Sequence, residues 1–348
     1  MSKTSERFLL AIESSCDDTG AAVIGEYGTI LSNVVASQDK DHKPFHGVVP
    51  EIASRAHVRD IADVCQKALD QANMTLKHMA GIAVTSGPGL IGSLLVGVNF
   101  AKGLAISSGL PLISVNHIRG HVRAIFLEHG TPPLPALALI TSGGHSHLFS
   151  VDEQEELDLL VKTRDDAAGE AFDKLSKMLG LGFPGGPQID RMAQSGDYRR
   201  FHFRQPKISD GSLDFSFSGY KTAALRHIES DPSAFKTQQN QSDLCASFQH
   251  ALVRHLLDRV GIALNHGHWR SLLLGGGVAC NSALRAQAAH LADSHQVPFF
   301  VSQPKLCTDN AAMIGAEGWA QFKRDKKAAL SLAPEVKAKA YRQYTPLR

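Results

Sequence analysis

FLLAIESSCDDTGAAVIG, residues 8–25, reads as an apolar strand, a polar turn and a second strand, and ALALITSGGHSHLFSVD, residues 136–152, reads the same way. Both turns are rich in Ser, Gly or acidic residues, which hydrogen-bond backbone or tolerate positive φ. The two hairpins begin 128 residues apart, too far for a short repeat array, so they read as a duplicated domain.

Between them the pattern turns helical. Residues 51–72 space Ile52, Ala56, Ile61, Cys65, Ala68 and Leu69 near helical period, with Pro50 suited to the helix start. Residues 82–105 read as strand, Gly/Pro turn and helix; Gly87, Pro88, Gly89 and Gly92 allow a close backbone approach there. Residues 111–130 read as strand then helix, and GTPPLP (130–135) as the linker between halves. In the second half, 165–181 is a helix ended by the loop GFPGGP, and 243–264 is mostly helical. Residues 271–292 are strand, triple-glycine turn and helix, and 299–322 close with strand, loop and helix. The alternation predicts an α/β fold of two similar halves, 1–133 and 134–322, with a tail at 323–348. The cleft between the halves is the expected ligand site.

Composition narrows the class. Apolar residues make up 43% of the 348, enough for a core in each half. The net charge of +2 excludes a uniformly basic coat protein and an acidic tail protein. Five cysteines without a CxxC pair suggest neither a disulfide framework nor a zinc ribbon. The N-terminus shows no signal-peptide core, and no apolar run is expected to reach the ~18 residues of a membrane helix. A soluble, cytoplasmic protein without a membrane partner is therefore expected. Histidine is abundant, with 17 copies, and is both the commonest metal ligand and the neutral-pH proton carrier.

Five places carry chemistry. His117 and His121, in NHIRGH, lie one helical turn apart on one face and suit one divalent metal. Without context, such a pair more often caps or meets solvent. Ile118 stands where a metalloprotease motif needs Glu, which weakens a protease reading. In CTDNAAMIGA (307–316), Asp309 suits either a helix N-cap or the carboxylate of a two-His-one-carboxylate set; its position alone favours the cap. TSGGH (141–145) and GGGVACN (275–281) follow buried strands and suit a phosphate or an adenine; neither is a Rossmann or Walker motif. ESSCDDTG (13–20) places acidic residues at a hairpin tip, to hold a cation or water or to close an Asx-type turn. His145, after the Gly pair, is placed to touch a ligand or support one that does.

Loops, hairpins and duplication together resemble the actin-like ATPase (ASKHA) superfamily. AIESSCDDTGAAV, GVVPEIASRAHV, SGPGLIGSLLVG, NHIRGH, TSGGHSHL, DDAAGEAFDK, FPGGP, FSFSGYKTA, GGGVACNSALR and CTDNAAMIG fall in order from residue 11 to 316. They resemble the TsaD/Qri/OSGEP family, once named O-sialoglycoprotein endopeptidase, whose members are tRNA adenosine threonylcarbamoyltransferases. The resemblance implies two duplicated ASKHA domains. It also implies transfer of threonylcarbamoyl from threonylcarbamoyl-AMP to the N6 amine of the adenosine 3′ of the anticodon, in tRNAs reading codons that begin with A. His117, His121 and Asp309 match the family's metal ligands, one divalent ion per subunit, Fe(II) or Zn(II). Ile140, Thr141, Ser142, Gly143 and Gly144 match its segment at the nucleotide or acyl-adenylate. Asp173, Gly186, Asp190 and Asn281 match nucleoside-binding positions, with ATP or threonylcarbamoyl-AMP as ligand. Asp17 and Asp18 match the acidic turn near the reacting group, with Asp17 as candidate proton acceptor. Arg119 stands where the family usually has Glu in NHxEGH, which opens the question of what supports the histidines.

The resemblance further implies a TsaB-like paralogue and a TsaE-like ATPase as partners in the bacterial type, or a homodimer in the mitochondrial type. A TsaC/Sua-like synthase would supply the acyl-adenylate. An ASKHA-type small-molecule kinase, a metalloprotease and a nucleotide-binding scaffold are the alternatives. A tRNA substrate calls for basic surface. From Lys323 to Arg348, eight basic residues stand against Asp325 and Glu335, a net of +6, which leaves −4 on residues 1–322. Arg199, Arg200, Arg204 and Lys207 form a second basic cluster. The tail is expected to grip tRNA phosphates.

Overall fold

The computed structural model describes residues 6–206, 208–324 and 332–347. The first hairpin is β1 (Phe8–Glu13) and β2 (Asp18–Gly25), antiparallel, with Glu13 opposite Gly20. β3 (Ile30–Ser37) extends it, followed by a short helix α1 (Asp39–His42) and the long α2 (Pro50–Gln71). β4 (Met79–Gly87), α3 (Ile91–Ser108), β5 (Leu112–Asn116) and α4 (His117–His129) complete the first half. The second hairpin, β6 (Ala136–Thr141) and β7 (Ser146–Val151), pairs Thr141 with Ser146 and is extended by β8 (Leu157–Lys162). Then come α5 (Ala168–Leu179), α6 (Gly185–Ala193), α7 (Ser218–Ser230), α8 (Gln238–His266), β9 (Ser271–Gly275), α9 (Ser282–Ser294), β10 (Phe299–Val301), α10 (Pro304–Cys307) and α11 (Ala311–Arg324). The expected loop GFPGGP supplies the first turn of α6.

The two sheets repeat one plan. The first runs β3-β2-β1-β4-β5 and the second β8-β7-β6-β9-β10, each an antiparallel three-stranded meander joined to parallel strands. β1 and β6 are central and almost wholly buried, which is why they read as continuous apolar runs. In the first sheet, Val98, Ala101 and Ala105 of α3 pack with Ile12, Ile82 and Val84. Each fully buried Leu, Ile or Val side chain contributes about 2 kcal/mol of transfer free energy.

The units differ from the expected segments. One comprises the described residues of Met1–Gly130 and Thr308–Ala340, the other those of Thr131–Cys307 and Tyr341–Arg348. α11 returns to the first sheet: Trp319 Nε1 donates to the Ile24 carbonyl at 2.9 Å. A strand–loop–helix pattern does not encode which sheet its helix will cover. The described residues of the basic tail form no separate arm either. Residues 342–345 lie beside β8, with Arg342 N donating to Leu157 O at 2.8 Å and Thr345 N to Leu159 O at 2.9 Å. Arg342 also pairs with Asp152 and Asp158 at 2.9 and 2.8 Å. Of the tail cations, Lys326, Lys327 and Arg348 lie outside the described residues.

One composition reading is corrected. α3 is 18 residues long with mean hydropathy 1.3, long and apolar enough to cross a membrane by those two measures. Its Gly, Ser, Asn and Lys residues broke up the apolar run in the sequence. Its inner face packs on β4 and α2.

Candidate metal centre and glycine loops

α4 begins at His117 because Asn116 caps it, accepting from Ile118 N at 3.0 Å and Arg119 N at 3.2 Å. His121 follows one turn later, and the two rings meet edge to face with centroids 4.7 Å apart. Both are buried. The sequence position of Asp309 favoured a cap, but the cap of α11 is Asn310, whose Oδ1 accepts from Met313 N at 3.2 Å. Asp309 instead directs Oδ1 to within 3.5 Å of His117 Nε2 and 3.3 Å of His121 Nε2. One ligand atom from each of the three lies within 4.8 Å of the others.

Glu13, at the end of β1, completes the surroundings. It is 1% exposed, and its Oε2 lies 3.0 Å from His117 Nδ1 while accepting from Thr85 Oγ1 at 2.7 Å. Its Oε1 accepts from Ser15 N, and Ser15 Oγ lies 3.1 Å from His117 Nδ1. A carboxylate on Nδ1 fixes the imidazole's orientation and turns Nε2 toward a metal. Sequence reading took Glu13 only as part of the acidic turn 13–20 and missed its contact with His117. The available signal was a carboxylate closing an otherwise apolar strand, FLLAIE.

Electrostatics point the same way. Burial opposes a charged His117, yet the Asp309 and Glu13 carboxylates overcome it and raise its pKa to about 9. His121 is held below its ordinary value by burial, with the His117 charge adding to the effect. In the acidic turn, burial raises Asp17, and the Asp309 charge adds to it. Burial, then the charges of Asp17 and Asp309, push Asp18 up to about 8. Several carboxylates thus crowd a buried space with too little positive charge. Two imidazoles and a carboxylate in such a space suit a divalent transition metal.

Arg119 is engaged by α11. Its Nε pairs with Glu317 Oε1 at 2.8 Å, and Arg123 Nε pairs with Glu317 Oε2 at 2.8 Å. Burial would raise the Glu317 carboxyl, but the two guanidinium charges hold it low. The charge reversal at position 119 is therefore answered on α11, while Glu13 serves the histidines.

Other matched positions lie in the second unit. Ile140 and Thr141 are fully buried in β6. Ser142 is nearly so, and only Gly143 and Gly144 of that segment are exposed. Thr141 Oγ1 meets Ser146 Oγ at 3.1 Å. Gly276, at φ 87°, lets the triple-glycine turn close on this strand; a Cβ there would sit 2.3 Å from the Thr141 carbonyl oxygen. Asp190 Oδ1 accepts from Asn281 Nδ2 at 3.3 Å and from Ser282 Oγ at 2.7 Å. Asp173 accepts from Gly185 N at 2.7 Å, beside Gly186. In the Gly/Pro turn after β4, the close approach is to the chain itself: a Cβ on Gly89 would lie 2.4 Å from the Ser15 carbonyl oxygen.

The fold places the chain among two-domain proteins of the actin-like ATPase type. T. kodakarensis HypF superposes with a TM-score of 0.59 at 12% identity, over 92% of this chain and 48% of HypF. The activator of 2-hydroxyisocaproyl-CoA dehydratase from Clostridium difficile gives 0.53 at 13%, over 95% and 100% of the two chains. Sequence is more specific. A protein of Geobacter sp. (strain M21) named tRNA N6-adenosine threonylcarbamoyltransferase is 49% identical over 310 residues, 89% of this chain and 90% of its own. The profile of TsaD, the tRNA N6-adenosine threonylcarbamoyltransferase family, matches residues 29–316, and the chain belongs to that family.

Proposed function

We propose that this chain transfers threonylcarbamoyl from threonylcarbamoyl-AMP to the N6 amine of the adenosine 3′ of the anticodon. One divalent metal, Fe(II) before Zn(II), is held by His117, His121 and Asp309. The convergence of these three side chains, with Glu13 behind His117, is the observation that carries the reading. Bound there, the ion supplies Lewis acidity and charge neutralisation for the departing phosphate.

The chain's own groups do the rest. Glu13 holds His117 in place, and the backbone N–H groups of Gly143 and Gly144 serve as donors to the acyl oxygen. Asp173, Gly186, Asp190 and Asn281 bind the nucleoside, and Asp17 accepts the proton lost by the attacking amine. The amine forms the new C–N bond, the acyl–phosphate bond breaks, and AMP leaves. Since the donor is already activated, positioning supplies much of the rate.

The bacterial relatives favour a cytoplasmic enzyme with a TsaB-like paralogue and a TsaE-like ATPase over a homodimer. α2 and α3 are the proposed pairing faces, where Val58, Leu95 and Ile106 are exposed. Reconstitution tests the reading. Purified chain, tRNA, ATP, threonine, bicarbonate and an acyl-adenylate synthase are combined with and without the partners. Threonylcarbamoyladenosine in digested tRNA supports it; unmodified tRNA in every combination overturns it.

A further inference from the structure

Two basic clusters stand out in the sequence; Lys207 of the second lies outside the described residues. Arg342 of the tail is held by two aspartates beside β8. By contrast, the side chains of Arg200 and Arg204 make no ion pair among the described residues. The Arg199 Nε donates to the neighbouring Tyr198 hydroxyl at 3.1 Å. Arg254, from α8, is 67% exposed and reaches Asp258 only at 3.7 Å. The nearby Asp197 is exposed and closes the local turn, with Oδ1 accepting from Arg199 N at 2.9 Å.

Two of these arginines, Arg199 and Arg254, line a pocket of about 210 Å³ whose walls include Tyr198, Phe201, Phe203 and His250. The Tyr198 and His250 rings lie 4.5 Å apart and 36° from parallel, and the Arg199 guanidinium sits 5.2 Å over the Tyr198 ring. Tyr198 is nevertheless 44% exposed, so part of its ring remains open to a ligand. Burial and the Arg254 charge hold His250 below its ordinary pKa, so at neutral pH it offers an aromatic ring without adding charge. Aromatic faces beside exposed guanidinium groups are the combination that binds an unstacked base together with its phosphates.

We propose that the pocket bounded by Tyr198, His250, Arg199 and Arg254 binds an unpaired nucleotide of the RNA substrate, its base on the Tyr198 ring and its phosphates on the arginines. The inference rests on the tRNA reading above and adds where a single-stranded part of that RNA is held. A solvated basic surface would show the same net charge but no dependence on the Tyr198 ring.

The test measures tRNA affinity of the full chain across a salt series, alongside transfer kinetics. Tyr198→Ala is expected to weaken tRNA binding about tenfold, and Tyr198→Phe to restore it. Arg199→Ala combined with Arg254→Ala is expected to flatten the log affinity–log salt slope by about 1.4. In both losses the KM for tRNA rises while kcat at saturating tRNA holds, and metal content and melting temperature stay at wild-type values. A loop-free RNA duplex as probe should be indifferent to Tyr198→Ala. Wild-type affinity and salt slope in both variants, with transfer intact, overturn this pocket and leave the function standing. Absence of transfer by the wild-type chain overturns the function instead. A variant that melts early is replaced by Tyr198→Leu, which keeps the apolar volume without an aromatic face and carries the same expected loss.

Discussion

At the end of β1 the chain places Glu13, and at the equivalent end of β6 it places Thr141. The strand orders are the same, and each residue closes its hairpin opposite a small partner, Gly20 or Ser146. Their chemistry diverges. Glu13 reaches across to Thr85 and His117 and supports a cluster of ionisable groups. Thr141 shares a hydroxyl contact with Ser146, and Ser146 Oγ in turn accepts from Ala168 N at 3.0 Å, so this hairpin ends in neutral groups and exposed glycines. One backbone plan, used twice, ends once in a cluster of ionisable groups and once in exposed glycine backbone.

Four substitutions probe that contrast, from the largest effect down. His121→Ala should remove bound metal and lower transfer by about a thousandfold, the several kcal/mol of a lost Lewis acid, measured by metal analysis and single-turnover assay. Glu13→Gln keeps the shape but weakens the hold on His117; metal affinity should fall about 10- to 100-fold in a competition titration with a chelator. Arg119→Ala leaves the buried Glu317 carboxylate with Arg123 alone, and should cost about 1–3 kcal/mol in denaturant unfolding while one metal per chain is retained. Thr141→Val should cost about 1 kcal/mol and leave metal affinity unchanged. A fall in metal affinity as large as that of Glu13→Gln would erase the distinction between the hairpins.

The duplication was legible because β1 and β6 are buried on both faces and write themselves as unbroken apolar runs. The histidine pair was legible from its spacing, and the ordered motifs identified the family. What the sequence did not disclose were long-range pairings. Nothing local tells that Glu13 meets His117, or that Asn310 takes the cap and directs Asp309 elsewhere. The partner of Arg119 is likewise 198 positions away in the chain. The return of α11 to the first sheet decides the last two of these, and a helix pattern carries no address for the sheet it covers.

The central claim is that the first hairpin backs a metal centre and the second does not. Calorimetric titration of the metal-free chain with Zn(II) tests it most directly, run in parallel on wild type, His117→Ala and Thr141→Val. The account predicts one tight ion per chain in wild type and Thr141→Val, and none in His117→Ala. A His117→Ala chain that binds one ion with wild-type affinity would contradict it.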